Sequence, residues 1–98
     1  MSGAELAVVG DGRFELRGAL DFSTVGELLS RGLDVFTGHR QVVLDLAGVT
    51  RANSAGLALL LEWLDHGKKR GFELRVVNLP ESLRAIARMS NVDAMLVP

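Results

Sequence analysis

The stretch from Gln41 to Leu79 constrains the fold more than any other part of this chain. It opens on QVVLDL (41–46), an almost unbroken β-branched and aliphatic run of strand length, and closes on a second such run, ELRVVNL (73–79). Between them the apolar spacing predicts a helix from about Ser54 to Arg70. Its end is marked by KKRG: three cations meet the negative end of the helix dipole, and Gly71 suits a left-handed stop. A strand, a helix and a second strand in that order form a parallel crossover, right-handed by the usual rule. Runs as continuous as these are expected in strands covered on both faces, which puts QVVLDL at the centre of a sheet and makes ELRVVNL another inner strand.

The flanking segments extend the same architecture. ELAVV and RFELRG alternate in polarity and are separated by GDG, so they read as an antiparallel hairpin. From Ser23 the period changes: Val25, Leu28, Leu29, Leu33 and Phe36 share one helical face, with Ser23 or Thr24 placed to cap the first amides and Gly38 near the end. AGVTRAN (47–53) is expected as a loop. Pro80 suits the first position of a last helix in which Leu83, Ile86 and Ala87 share a face, and VDAMLVP is too short to assign. Ninety-eight residues are enough for one core and too few for two. The expected fold is a single α/β domain over residues 1–98: a mixed sheet, antiparallel hairpin plus parallel strands, covered by helices.

On the long helix, Leu57, Leu60, Leu61 and Leu64 gather on one arc that Gly67 continues, and these are expected to pack on the sheet. Ala55, Leu59, Trp63 and His66 fall on a second arc, with Glu62 beside them. With the first arc on the sheet, the second is expected to be at least partly exposed. Two readings of Leu59 and Trp63 stay open: burial against a neighbouring helix, or the apolar centre of a protein contact, where tryptophan is enriched.

Several chemistries find no support. Eleven basic and twelve acidic residues give a net charge of −1, so no overall field favours nucleic acid or an anionic membrane. HGKKR reads as a solvated last helical turn rather than a nucleic-acid patch. The chain has no cysteine, and His39 and His66 share no helical face, so no metal site is expected. NSAG (53–56) is not the strained elbow of a hydrolase serine, and the glycines of VGDGRFELRG do not open a helix as a nucleotide cradle would. No catalytic residue and no cofactor is expected. MSGAELAVVGDG lacks the basic start and apolar core of a secretion signal, and no apolar run approaches the roughly 20 residues that span a bilayer.

That leaves Ser54. Asn53 or Ser54 can accept a hydrogen bond from the first free amides of the long helix. A phosphoryl group on Ser54 would suit the helix terminus electrostatically, and would add about −1.5 to −2 of charge to any surface packed there.

The chain resembles the STAS domains, the family of sulfate-transporter and anti-sigma-antagonist domains, over nearly its full length. LRGALDFSTVGEL is similar to the family's second strand and first helix. QVVLDLAGVTRANSAGLALLL is similar to its central strand, signature loop and second helix, and GFELRVVNLPESLRAIARMSNVDAML to its last strand and helix. In the antagonist branch the loop reads Asp-Ser-Ser-Gly with the first serine as phosphoacceptor. Here Asn53 stands at the aspartate, Ser54 at the phosphoacceptor, Ala55 at the second serine and Gly56 at the glycine.

Asn53 thus lacks the carboxylate and Ala55 the second hydroxyl, whereas SAGLALLL is similar to the small STAS subunits of Mla phospholipid-transport ABC systems. That resemblance implies a non-enzymatic cytoplasmic accessory subunit, peripheral to the inner membrane, that binds the transporter's ATPase and through it the permease. It implies a docking surface with Ala55, Leu59 and Trp63 at its centre and Thr50, Arg51, Asn53 and Ser54 at its edge, so that Trp63→Ala would leave the fold intact. The other branch implies an anti-sigma factor antagonist switched by phosphorylation of Ser54.

Overall fold

The computed structural model describes residues 3–96; the first two residues and the last two of VDAMLVP lie outside it. Strands β1 (Ala4–Gly10) and β2 (Arg13–Leu20) form the expected antiparallel hairpin, pairing Leu6 with Leu16 and turning through Asp11-Gly12. Helix α1 (Val25–Phe36) leads to β3 (Gln41–Ala52), and α2 (Ser54–Arg70) to β4 (Glu73–Val77). Helix α3 (Glu81–Met89) begins one residue after Pro80, which takes the cap position, and the single turn α4 (Asp93–Leu96) follows. The sheet order is β1-β2-β3-β4, with β3 parallel to both neighbours. The mixed α/β sheet is therefore as expected.

Three details differ. First, β3 runs on through Ala52, so most of AGVTRAN is strand: Arg51 pairs with Ala19 and Ala52 with Leu20 after two register shifts. The distal half of β2 offers its backbone groups to this segment, and pairing satisfies amides that a loop would leave to water. Second, β3 is buried on one face only. Val42, Leu44 and Leu46 are buried, whereas Val43 and Asp45 are half-buried on the other side, where Asp45 accepts a hydrogen bond from Asn78. Third, β4 pairs only with β3 and forms an edge of the described sheet.

The covered face carries the core. Phe14 and Leu16 of β2, Val42, Leu44 and Leu46 of β3 and Val76 of β4 meet Leu28 and Phe36 of α1, Leu57 and Leu60 of α2 and Leu83 of α3. Phe36 is the hub of a ring cluster: its centroid lies 4.9 Å from Phe14, 5.1 Å from Trp63 and 5.8 Å from Phe72, each edge to face. Such pairs contribute about 0.5–1.5 kcal/mol each beyond the area they bury.

Ala55, Leu59 and Trp63 of the second arc are part of this core, so of the two readings burial against a neighbouring helix holds and the exposed contact does not, while His66 is half-buried. Ala55 is 4% exposed, Leu59 3% and Trp63 0%. The cause is α1: Trp63 lies against it, and the indole Nε1–H donates to the Leu29 carbonyl at 3.3 Å. Gly32 makes that approach possible, since a Cβ there would stand 2.4 Å from Nε1. Helix α2 is thus buried on both predicted arcs, and its exposed stripe is Ser54, Ala58, Glu62, Asp65 and Lys69. At its far end Gly71 is left-handed (φ 87°) and its N–H donates to the Gly67 carbonyl, as KKRG predicts.

Trp63 is therefore a fold residue. Trp63→Ala is expected to cost about 3–5 kcal/mol in a urea titration. Gly32→Ala gains helix propensity but overpacks the indole, for a net loss on the order of 1–2 kcal/mol, read from the same titration by Trp63 fluorescence.

Candidate functional site

The parallel strands β2 and β3 end side by side, and their carboxyl ends meet the start of α2. Asn53 N–H donates to the Leu20 carbonyl at 3.1 Å, fastening the end of β3 to the end of β2. Gly56 then sits against Leu20, whose Cβ would be 3.0 Å from a Cβ on the glycine. The start of α2 is held at the backbone level on two sides.

Between the two candidate caps the structure selects Asn53. Its Oδ1 accepts from the Ala55 N–H at 2.9 Å, and Ser54 is the first helical residue, so Ser54 is not the cap. The extended backbone of Asn53 places its side chain across the helix axis, whereas a residue already in helical conformation cannot turn back to reach those amides. Ser54 is exposed, and α2 has no acidic residue in its first turn. Its free N–H dipoles therefore give this end of the molecule positive character.

The loop between β2 and α1 lies alongside. Neither Ser23 nor Thr24 caps α1 in the manner expected. Thr24, buried, donates its hydroxyl to the Ala19 carbonyl at 2.9 Å and accepts from the Asp21 N–H at 3.0 Å. Asp21 Oδ1 accepts from the Ser23 N–H at 2.9 Å and from the Ser23 hydroxyl at 2.6 Å. These two bonds hold the Asp21 carboxyl below its usual range, with a smaller contribution from the Arg51 charge. Arg51 reaches Asp21 Oδ2 at 3.9 Å and is 79% exposed. A shallow cavity of about 320 Å³ opens between Leu20, Asp21, Arg51, Ala52 and Asn53.

Of the sequence-predicted contact residues, Thr50, Arg51, Asn53 and Ser54 are brought together at this exposed end; Ala55, Leu59 and Trp63 point into the core. The sequence reading missed Phe22, which is 80% exposed in the pinned loop. Its signal is an aromatic residue in DFST, a turn whose other members are all polar. His39 lies 3.6 Å from Asp11 and His66 3.7 Å from Glu62, each on its own part of the surface. Among the described residues no group of three or more metal-binding side chains forms, and no helix is long and apolar enough to cross a membrane.

A mixed four-stranded sheet with a signature loop entering a long helix defines a STAS-type domain. Two solved structures share that fold: the anti-sigma factor antagonist SpoIIAA (TM-score 0.73, 15% identity, covering 96% of this chain and 85% of that one) and a sulfate transporter family protein from Wolinella succinogenes (TM-score 0.69, 24% identity, 91% and 75%). The family model described as the MlaB STAS domain matches residues 7–98, and the chain belongs to that family. It is similar to the intermembrane phospholipid transport system binding protein MlaB of Escherichia coli K12, 33% identical over 55 residues. That alignment covers 56% of this chain and 57% of the relative, so the chain spans just over half the length of the curated protein it matches.

Two measurements test the geometry of the site. Asn53→Ala is expected to cost about 1 kcal/mol through loss of the cap, while Ser54→Ala stays within about 0.5 kcal/mol of wild type, by urea midpoint. Because the Asp21 carboxyl is lowered in the fold, its contribution to stability is present above about pH 4 and is lost as pH falls through the folded value. Asp21→Asn should therefore flatten the acid limb of stability below about pH 4, where the unfolded carboxylate takes up its proton before the folded one does.

Proposed function

We propose that this chain is a non-enzymatic accessory subunit of an Mla-type phospholipid-transport ABC system. It binds the ATPase subunit on the cytoplasmic face of the inner membrane, and so acts on the permease indirectly. The observation that carries this reading is the family match along residues 7–98, joined to an exposed polar surface at the start of α2. Thr50, Arg51, Asn53 and Ser54 form that surface. Ala55, Leu59 and Trp63 are buried beneath it, Trp63 fixing α2 on α1, and none of the three is open to a partner.

The site also speaks for binding rather than chemistry. Ser54 has neither histidine beside it: His39 lies beside Asp11, at the turn of the β1–β2 hairpin, and His66 lies three turns along α2. A serine without a positioned base is a weak nucleophile. What the surface offers instead is hydroxyl, amide and guanidinium groups on rigid elements, suited to hydrogen bonding with a protein.

The second reading, an anti-sigma factor antagonist switched by phosphorylation of Ser54, is favoured by one observation. The Ser54 hydroxyl is exposed at a helix N-terminus free of acidic neighbours in its first turn, where a phosphoryl group is electrostatically tolerated. The likeness to SpoIIAA, at 15% identity, is one of fold.

Ser54→Glu separates fold from docking. A carboxylate in the first turn favours α2 by about 0.3–1 kcal/mol, so the melting temperature should hold or rise. Affinity for the purified ATPase subunit of the organism's Mla-type transporter should fall tenfold or more, about 1.4 kcal/mol. Undiminished co-purification of this variant with the ATPase would contradict the proposed surface. Phosphate on Ser54 after incubation with ATP and a serine kinase, seen by intact mass, would favour the second reading.

A further inference from the structure

A single exposed apolar side chain needs no explanation by itself. Phe22 differs from the other exposed apolar residues in how it is held. The residues on either side of it are fixed: Asp21 is bonded through its N–H to the Thr24 hydroxyl, through its carboxylate to Ser23, and through its carbonyl to the amides of Thr24 and Val25. Thr24 is buried and tied to Ala19. The loop therefore has no slack with which to fold the ring inward, and the ring stays 80% exposed.

A largely exposed cation stands at the same turn. Arg51 is 79% exposed and pairs with Asp21 at 3.9 Å, an exposed pair of little energetic consequence. The Asp21 oxygen on the other side is already taken by Ser23. The amide end of α2, with no acidic residue in its first turn, adds partial positive charge beside this loose pair, so most of the Arg51 guanidinium is open to a further carboxylate. Phe22 is joined to that surface through Asp21, which lines the same cavity as Arg51 and Asn53.

We infer that Phe22 is the anchor of the docking surface, inserting into an apolar pocket of the partner protein whose rim carries a carboxylate facing Arg51. The inference rests on the ATPase-binding reading and specifies the partner's chemistry. Preorganisation of the backbone is what favours the ring: a turn already fixed leaves only the side-chain rotamer to be ordered on binding. Aromatic residues are enriched at interfaces, and truncating a central anchor removes a large share of affinity while rim charges act mainly on association rate.

The test uses the full chain and the purified ATPase subunit of its own Mla-type transporter, with binding followed by surface-plasmon kinetics. Phe22→Ala is expected to weaken binding on the order of thirtyfold or more, with an unchanged melting temperature, and Phe22→Leu to recover most of it. Arg51→Glu should slow association, and should abolish or invert the decrease in association rate that added salt produces for wild type. Tight wild-type binding with Phe22→Ala within threefold of it overturns the anchor and leaves the docking reading standing. No binding by the wild-type chain overturns both. Concentration-dependent dimerisation lost in Phe22→Ala, with ATPase affinity intact, assigns the ring to a second copy of this chain and also overturns the inference.

Discussion

The contact on which the rest of the molecule depends is the one between Phe36 and Trp63. Phe36 joins β2, α1, α2 and the residue leading into β4 through Phe14, Trp63 and Phe72, so four segments distant in sequence share one ring. Seating Trp63 there requires α1 to present Gly32, and the indole N–H needs an acceptor, which the Leu29 carbonyl supplies. An indole N–H buried without that bond would offset about 1–3 kcal/mol of what burying the ring contributes. With it in place, α2 has one position on the sheet.

That position transmits to the functional end. Helix α2 is fixed near its middle by Trp63 and at its start by the Asn53–Leu20 backbone bond and the close packing of Gly56 on Leu20. Ser54 and Arg51 therefore stand on a rigid base although they are themselves exposed. The neighbouring Asp21–Thr24 turn is rigid for a separate reason, a local network centred on a buried hydroxyl. Two independently fixed pieces of backbone meet at the shallow cavity, and a surface so built binds without first having to be ordered.

Much of this is written locally in the sequence. The limits of α2 follow from chemistry confined to each end, a capping asparagine and a KKRG stop, and the hairpin from its turn. What was not legible depended on neighbours. AGVTRAN looks like a loop until the distal half of β2 is alongside to pair with it. QVVLDL looks buried on both faces, and only Asp45, polar at an alternate position, argues for an open side. The helical wheel of α2 shows two apolar arcs without saying that α1 covers the second, because the glycine that admits Trp63 lies on another helix. Phe22 was passed over because a turn aromatic has no periodicity to mark it.

Moving Trp63 from surface to core changes the kind of interface this surface can make. An aliphatic stripe with an indole on α2 would have offered a helix-in-groove contact, apolar and extended. The surface actually presented consists of hydroxyl, amide and guanidinium groups around one aromatic ring. Polar surface pairs contribute little unless desolvated, so affinity at such a site must come from a small apolar centre, and the surrounding groups set orientation and rate. A contact of that composition is reversible and sensitive to any charge added at its edge. On the proposed docking reading Ser54 lies at that edge, where its neutral hydroxyl leaves the start of α2 uncharged; an acidic residue there would favour the helix but oppose an acidic partner.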